Sequence, residues 1–460
     1  MKISVATQKY LQHYRENECA FLPPVEKHFQ NVLVIPVYAE SLETLWPILL
    51  SCDQADALAI LVINAPDPSE QTDKVPPDST SHLLTQTEAL LHTLEHHFPV
   101  SQHNENIRWH ATHTHPDFHN GTPFLVIDRC TPNRRLSPKE GVGRARKIGS
   151  DIALKLISDG SIRSHWIHTT DADVALPSNY FAATRSCQAG AAIYPFIHHY
   201  QNDFCDQSTA QATWLHDFWL RYYAEGLRYA RSPYAHISIG SCLAIHSESY
   251  SSVRGFPARS GGEDFYLLNK IAKTSQICSL SHPVIQIRCR RSNRTPFGTG
   301  PSVEKILALP DPICTFGFYH PHSFEALKAL LYWAKQTFQD ETLWQAPEKL
   351  KTPCFWENLF KKACPASLLA PLTAALPHTF FTHLSQKLVP VSKNGAILEK
   401  HFHQWFDGFQ TMKVLNALRS SHFPDQPLCC VIHSQPGKQA LDAMPHHASR
   451  QFIEHASLRN

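Results

Sequence analysis

The chain has 460 residues, 43% apolar and 18% charged, the balance of a globular protein long enough for two or three cores. Lys plus Arg (42) nearly equals Asp plus Glu (40), which leaves no electrostatic footprint for nucleic acid or an anionic membrane. The 13 cysteines are scattered, with no Cys-x-x-Cys, and point to reduced thiols in a cytosolic chain rather than a disulfide framework.

Residues 1–29 read as a helical lead-in, and the first 18 lack an apolar core of signal-peptide length. Val32–Val37 is an apolar run of buried-strand length. The stretch after Ser41 has helical spacing, with Pro47 predicting a late start or a kink. Ala57–Asn64 is a second buried strand and Pro66–Thr80 a loop, followed by a helix with Leu83, Leu84, Leu90, Leu91 and Leu94 on one face. His110, His113, His115 and His119 cluster loosely; without a helix to align them, a solvated polar loop is preferred to a metal site.

Phe124–Asp128 reads as a third strand, Val142–Ser158 as a helix closed by Gly160, and Trp166–Thr170 as a fourth strand leading into Asp171. Further strands are expected at Ala191–Ile197, Ser238–His246 and Pro283–Cys289. The aromatic stripe Trp214, Phe218 and Tyr222, with Trp219 and Tyr223 beside it, reads as core rather than a sugar-stacking face. Beyond about residue 300 the alternation fades, and Phe324–Phe338, Cys354–Cys364 and Phe402–Leu418 look helical. The uncharged stretch Ala363–Gln386 is broken by Pro365, Pro371 and Pro377, which makes it a poor transmembrane span. It is expected to be a buried helical pair, with a peripheral membrane contact left open. The expected fold is therefore α/β, a mostly parallel central sheet flanked by helices over 30–300, with a helical extension over 301–460.

Three segments carry chemistry. An apolar strand ends in Asp171-Ala172-Asp173, and in an open α/β sheet the carboxyl ends of strands face the ligand crevice. Two such carboxylates suit Mg²⁺ or Mn²⁺ completed by water and phosphates; the plain alternative is a turn with capping acids. Gly261-Gly262-Glu263-Asp264 opens a helix, where the two acids either cap it or face a ligand. Residues 288–294 hold four arginines, whose planar forks fit phosphate oxygens, against the alternative of a solvated basic loop. No dinucleotide fingerprint, phosphate loop or serine elbow is present, since Arg146 stands where the third glycine of G-x-G-x-x-G would fall.

The order and spacing of these motifs resemble the family-2-like glycosyltransferases of GT-A fold, over about residues 30–300. Val34-Ile35-Pro36-Val37-Tyr38-Ala39-Glu40 looks like their opening motif, usually written with Asn where Ala39 stands. Asp171-Ala172-Asp173 resembles their metal-binding Asp-x-Asp, and Gly141–Arg146 their donor-facing helix start. Gly240-Ser241, Gly255-Phe256 and Glu263-Asp264 resemble their acceptor-side motif. The resemblance implies a nucleotide-diphospho-sugar transferase fold, an inverting transfer to an acceptor hydroxyl, and Mn²⁺ or Mg²⁺ on Asp171 and Asp173. It implies Asp264 as catalytic base with Glu263 beside it, and a donor site of Pro36, Tyr38, Glu40, Asn64, Arg146, Asp171, Arg291 and Arg294. Two departures stand out. Asn64 replaces the usual aspartate that contacts the donor base, and Arg288, Arg290 and Arg291 stand where a histidine ligand commonly follows the last strand. The expected partners are a nucleotide-sugar donor and an acceptor that is a glycan, a lipid-linked or a small molecule. The rival readings are a non-catalytic nucleotide-sugar-binding protein and a sugar nucleotidyltransferase; the second would need a glycine-rich loop after the first strand, which Pro36–Ser41 does not offer.

Overall fold

The computed structural model describes residues 3–70, 77–200, 205–292, 294 and 298–445. The chain forms two compact units, Met1–Thr213 with Ser238–Lys305, and Trp214–Ile237 with Ile306–Asn460.

In the first unit α1 (Val5–His13) precedes β1 (Asn31–Val37), α2 (Leu42–Gln54), β2 (Ala57–Asn64) and α3 (Pro77–His97). Then come β3 (Val100–Asn104), β4 (Ile107–His110), β5 (Phe124–Arg129), α4 (Gly141–Ser158), β6 (Trp166–Thr169), β7 (Val174–Ala175), β8 (Ala191–Ile193) and β9 (Phe196–His199). After α5 (Gln207–Tyr229), which runs on into the second unit, follow β10 (Leu243–His246), α6 (Ser247–Ser252), α7 (Glu263–Ile271), β11 (Ile277–Ser279), β12 (Ile285–Arg288) and α8 (Thr299–Leu307).

Nine strands form one mixed sheet in the order β11-β8-β10-β6-β1-β2-β5-β4-β3, and β7-β12-β9 form a small second sheet. The centre is parallel, with β6, β1, β2 and β5 side by side. Every residue of β1 and β2 is buried, because parallel strands are covered on both faces and read as unbroken apolar runs. Helix α4 lies so close to this centre that a Cβ on Gly149 would overlap the Val34 side chain. The buried Asp151 of α4 ties down the lead-in: it accepts from Tyr10 Oη (2.6 Å), Tyr250 Oη (2.7 Å), Lys147 Nζ (2.6 Å) and the Glu16 backbone N–H (2.8 Å).

Several expectations are corrected. Helix α2 starts at Leu42 under a Ser41 cap and runs through Pro47. Strands β3 and β4 add to the expected elements, and His110, read as part of a solvated loop, lies in β4, buried and stacked on Phe124 (5.0 Å between ring centroids). His115 packs against Trp46 (4.7 Å), so these two histidines belong to packing rather than to a solvated loop. The expected strand 191–197 is two strands in different sheets, broken at Pro195, which has no N–H for a ladder. Only Leu243–His246 of the expected strand 238–246 is a strand of the sheet; Gly240–Cys242 is a 3₁₀ turn.

The second unit is largely helical. Trp214, Phe218 and Tyr222 are buried and stacked along one face of α5, Phe218 and Tyr222 packing on Phe318 and Tyr222 also on Phe324; the stripe is core. The helix expected at 402–418 is two, Gly395–Trp405 and Gly408–Ser421. The Asp407 carboxylate accepts from the Phe409 and Gln410 N–H groups (3.0 and 3.1 Å) and so starts a new helix. The 363–386 stretch holds the short helices Ala366–Ala375 and Phe380–His383, with Pro371 inside the first. No helix among the described residues is long and apolar enough to cross a membrane.

Candidate active site

The sheet's own connectivity locates the crevice. From β1 the chain runs outward through β2 to β5 on one side, then returns to β6 on the other. The carboxyl ends of β1 and β6 thus flank a topological switch point, the place where open α/β sheets bind ligands. Tyr38, Ala39 and Glu40 leave β1 there, and Asp171, Ala172 and Asp173 leave β6. Ala39 holds a left-handed backbone (φ 53°), and its N–H donates to Thr87 Oγ1 (3.0 Å). Pro36 is inside β1, paired with Val62 of β2 and serving the frame. Asn64 ends β2, buried, with Oδ1 lacking a hydrogen-bond partner among the described residues. That is an acceptor left over where neighbouring strand ends open, since buried polar atoms are ordinarily paired.

A second element reaches the same place from the small sheet. β12 pairs antiparallel with β7, the two residues after Asp173, and the Arg288 N–H donates to the Asp173 carbonyl (3.0 Å). This pairing carries the next residues past the crevice. Arg290 donates from Nε to Asp173 Oδ2 (2.9 Å) and from Nη1 to Glu40 Oε2 (3.2 Å), while Nη2 contacts both acids. Arg294 donates from Nη1 to the Tyr38 carbonyl (3.0 Å) and to Glu40 Oε1, and from Nε to Ser292 Oγ (3.1 Å).

A third group lies beneath. Arg146, in the second turn of α4, spans two acids: Nη1 donates to Glu263 and Nη2 to Asp171. The side chains of Arg146 and Glu263 are 4% and 3% exposed, whereas that of Asp171 is 42% exposed. Two glycines allow this. The Gly143 N–H donates to the Arg259 carbonyl (2.9 Å), and a Cβ there would stand 2.6 Å from that oxygen. A Cβ on Gly240 would collide with the Arg146 guanidinium. Gly262, left-handed at φ 72°, turns the chain into α7, so Glu263 points inward to Arg146.

Asp264 is half-buried, and its Oδ1 accepts from the Phe265 N–H (2.7 Å). Burial raises its carboxyl above the ordinary range, opposed by the Arg146 charge. Glu263 is pushed up to about 7 by burial, with Arg146 opposing and Asp264 adding to the rise. Of the two, Asp264 has access to solvent and Glu263 is committed to an arginine.

Of the residues expected at the site, Glu40, Asp173 and Arg294 belong to one ion-pair group, which also holds the Tyr38 carbonyl, and Arg146, Asp171 and Glu263 to a second; Asp264, next to Glu263 in α7, adds its charge beside Arg146. Arg291 belongs to neither: its guanidinium pairs with Glu304 (2.7 Å from both Nε and Nη2) and is 61% exposed. Its neighbour Arg290, left out of the donor set, is the residue on Asp173. The signal was available, since Ile285, Ile287 and Cys289 are buried in alternation and put Arg290 out of phase with them and Arg291 in phase.

The residues fit a divalent cation in part. Five carboxyls face three guanidiniums, an excess of two negative charges when all are ionised. Asp171 and Asp173 each spend one oxygen on an arginine, leaving the other. Mg²⁺ is commonly held by one or two carboxylates plus substrate phosphates, a set these two can supply. Among the described residues no group of three or more His, Cys, Asp and Glu side chains is arranged to hold a metal unaided. Compared with known proteins, the chain matches no family model, and no curated protein matches it.

Proposed function

We propose that the chain is a glycosyltransferase of GT-A fold, moving a sugar from a nucleoside-diphosphate donor to an acceptor hydroxyl. The observation that carries the reading is the convergence of Asp171, Asp173 and Asp264 at the switch point between β1 and β6, through residues 240–264 and Arg146. A sheet whose strands β6, β1, β2 and β5 are parallel, with the acidic turn at the end of β6, agrees with the nucleotide-diphospho-sugar transferase architecture.

The roles follow from position. Asp264, the accessible acid, takes the proton of the acceptor hydroxyl. As the acceptor oxygen bonds to the anomeric carbon, the bond from that carbon to the diphosphate oxygen breaks, and its electron pair leaves with the nucleoside diphosphate. Attack opposite the leaving group inverts the anomeric centre. Asp171 and Asp173 would hold Mn²⁺ or Mg²⁺, which supplies positive charge beside the leaving diphosphate. Arg146 pairs with both Asp171 and Glu263 and fixes α4 against α7. Asn64 Oδ1, without a hydrogen-bond partner among the described residues, offers an acceptor to an N–H of the donor base.

The test is thermal-shift screening of UDP-, GDP- and other nucleotide-sugars with and without Mn²⁺, on wild type and Asp173→Ala. A ligand bound only by the folded state raises the melting temperature by mass action. One donor should stabilise wild type, and stabilise the variant less. A folded wild type that no donor stabilises overturns the proposal. Binding without donor hydrolysis or transfer to any acceptor favours the non-catalytic binding protein.

A further inference from the structure

Two thiols meet where the arginine-rich segment leaves the small sheet. Cys205 stands just before α5, and Cys289 directly follows β12. Their sulfurs are 3.0 Å apart, although the residues are 84 positions apart in sequence. The fold sets both in place. The Asp206 carboxylate accepts from the Thr209 N–H (2.8 Å) and from Thr209 Oγ1 (3.0 Å), which fixes Cys205 at a helix start. Cys289 is buried, and its Sγ donates to Thr213 Oγ1 of the same helix (3.3 Å). The next residue is Arg290, whose guanidinium holds Asp173 and Glu40. Two other thiol pairs lack this position. Cys187 meets Cys278 of β11, at the edge of the large sheet. Cys429 and Cys430 (3.9 Å) are neighbours in sequence, so a bond between them would constrain nothing else.

We propose that Cys205 and Cys289 are a redox switch: hydrogen peroxide joins them in a disulfide that locks the chain after β12 onto the start of α5 and holds Arg290 on Asp173 and Glu40. Cys205, the half-buried partner, meets the peroxide first, as accessible sensor thiols beside a resolving cysteine do. Its sulfur attacks one peroxide oxygen, the O–O bond breaks, and a sulfenic acid and one water result. The Cys289 sulfur then displaces the sulfenic hydroxyl, which leaves with the thiol proton as a second water while the S–S bond forms. Two thiols thus give up two electrons and one peroxide becomes two waters. The sulfurs close from 3.0 Å to a bond of about 2.05 Å, a shift that side-chain rotation between two fixed elements can supply. In the reduced chain hydrogen bonds and ion pairs hold Arg290 in place; in the oxidised chain a covalent bond one residue away is added. The lock withholds from any ligand the Asp173 oxygen that Arg290 occupies, and a thiol reductant restores it.

The experiment treats the reduced full chain with hydrogen peroxide and maps its cysteine links by mass spectrometry of a non-reducing digest. A Cys205–Cys289 link is expected, reversed by dithiothreitol and absent from Cys205→Ser. Because it closes a long loop, the oxidised chain should melt about 4 °C or more above the reduced one. Amide hydrogen exchange across residues 171–175 and 285–292 should slow about threefold or more on oxidation. Cys205→Ser should show neither change. Peroxide that leaves both thiols reduced, or links them to other cysteines, overturns the pair. A link that forms while exchange in the two segments stays the same or quickens overturns the lock. If Cys205→Ser does not fold, Cys205→Ala replaces it, and the comparison of oxidised with reduced wild type decides without either variant. These readouts follow sulfur and backbone rather than turnover, so the switch and the glycosyltransferase reading fail independently.

Discussion

Replacing Arg146 with methionine removes the one cation between Glu263 and Asp171. Methionine fills much of the same volume, so the principal change is electrostatic: a carboxyl group 3% exposed loses its guanidinium. Breaking a buried pair by deleting one partner costs about 3–5 kcal/mol, a large share of the 5–15 kcal/mol typical of a folded domain. The cost depends on pH, because Glu263 can escape it by taking up a proton. Its folded-state pKa, about 7 with Arg146 present, lies above the unfolded value. Its contribution is therefore fully present at low pH and is lost as pH rises toward 7. Without Arg146 that window extends upward, since of the causes that oppose desolvation only a backbone hydrogen bond then remains. The gap between variant and wild type should thus be small near pH 6 and widen above pH 7, by about 1.4 kcal/mol per pH unit for one proton. Urea unfolding at pH 6 and pH 8.5 measures it, with Arg146→Met/Glu263→Gln as the rescue. The reasoning is refuted if Arg146→Met stays within about 1 kcal/mol of wild type at pH 8.5, or if the double variant is no more stable than the single one.

Other outcomes follow from neighbouring features. Gly240→Ala drives a Cβ into the Arg146 guanidinium and should cost about 1–3 kcal/mol by overpacking, seen as a lowered melting temperature; an unchanged value would mean that the arginine moves freely. Ala39→Gly should be close to neutral, because the left-handed alanine (φ 53°) carries about 1 kcal/mol of strain that offsets the greater unfolded freedom of glycine. A loss above about 1 kcal/mol in urea would show that the strain is absent. Asp151→Ala strips the acceptor from two buried tyrosines and Lys147, for about 3–5 kcal/mol. Limited proteolysis should then cut within residues 3–20 before the sheet, and equal resistance of variant and wild type would argue against the anchor.

What could be read from sequence follows from how each element is stabilised. β1, β2 and β5 are legible because both faces of a central parallel strand are covered, so burial appears as an unbroken apolar run. Strand β3, Val-Ser-Gln-His-Asn, has no buried residue in its edge position, and its pairing with β4 leaves no mark in composition. The 402–418 break was hidden because apolar spacing continues on both sides of it, while its cause is one side-chain cap at Asp407. The acids of the candidate site were legible as strand-end and helix-start positions. Which arginine reaches them was legible only in part: the Ile285, Ile287, Cys289 alternation separates Arg290 from Arg291, but that the Arg290 side meets Asp173 depends on β12 pairing with the two residues after it. The inward turn of Glu263 likewise depends on a glycine backbone at 262 rather than on residue type.

The helical second unit is assembled from two separated stretches of chain, and the shorter one, 214–237, lies between β9 and β10 of the first unit in sequence. The stretch from Ile306 to Asn460 is therefore not an appendage that evolution or a truncation could take away cleanly. A chain ended at residue 305 would still carry Phe218 and Tyr222, stripped of Phe318 and, for Tyr222, of Phe324. Such a fragment would expose apolar rings and be a good aggregation seed. Exchange of this unit between related chains would have to replace both stretches at once, so its diversification is tied to that of the sheet into which the shorter stretch is threaded.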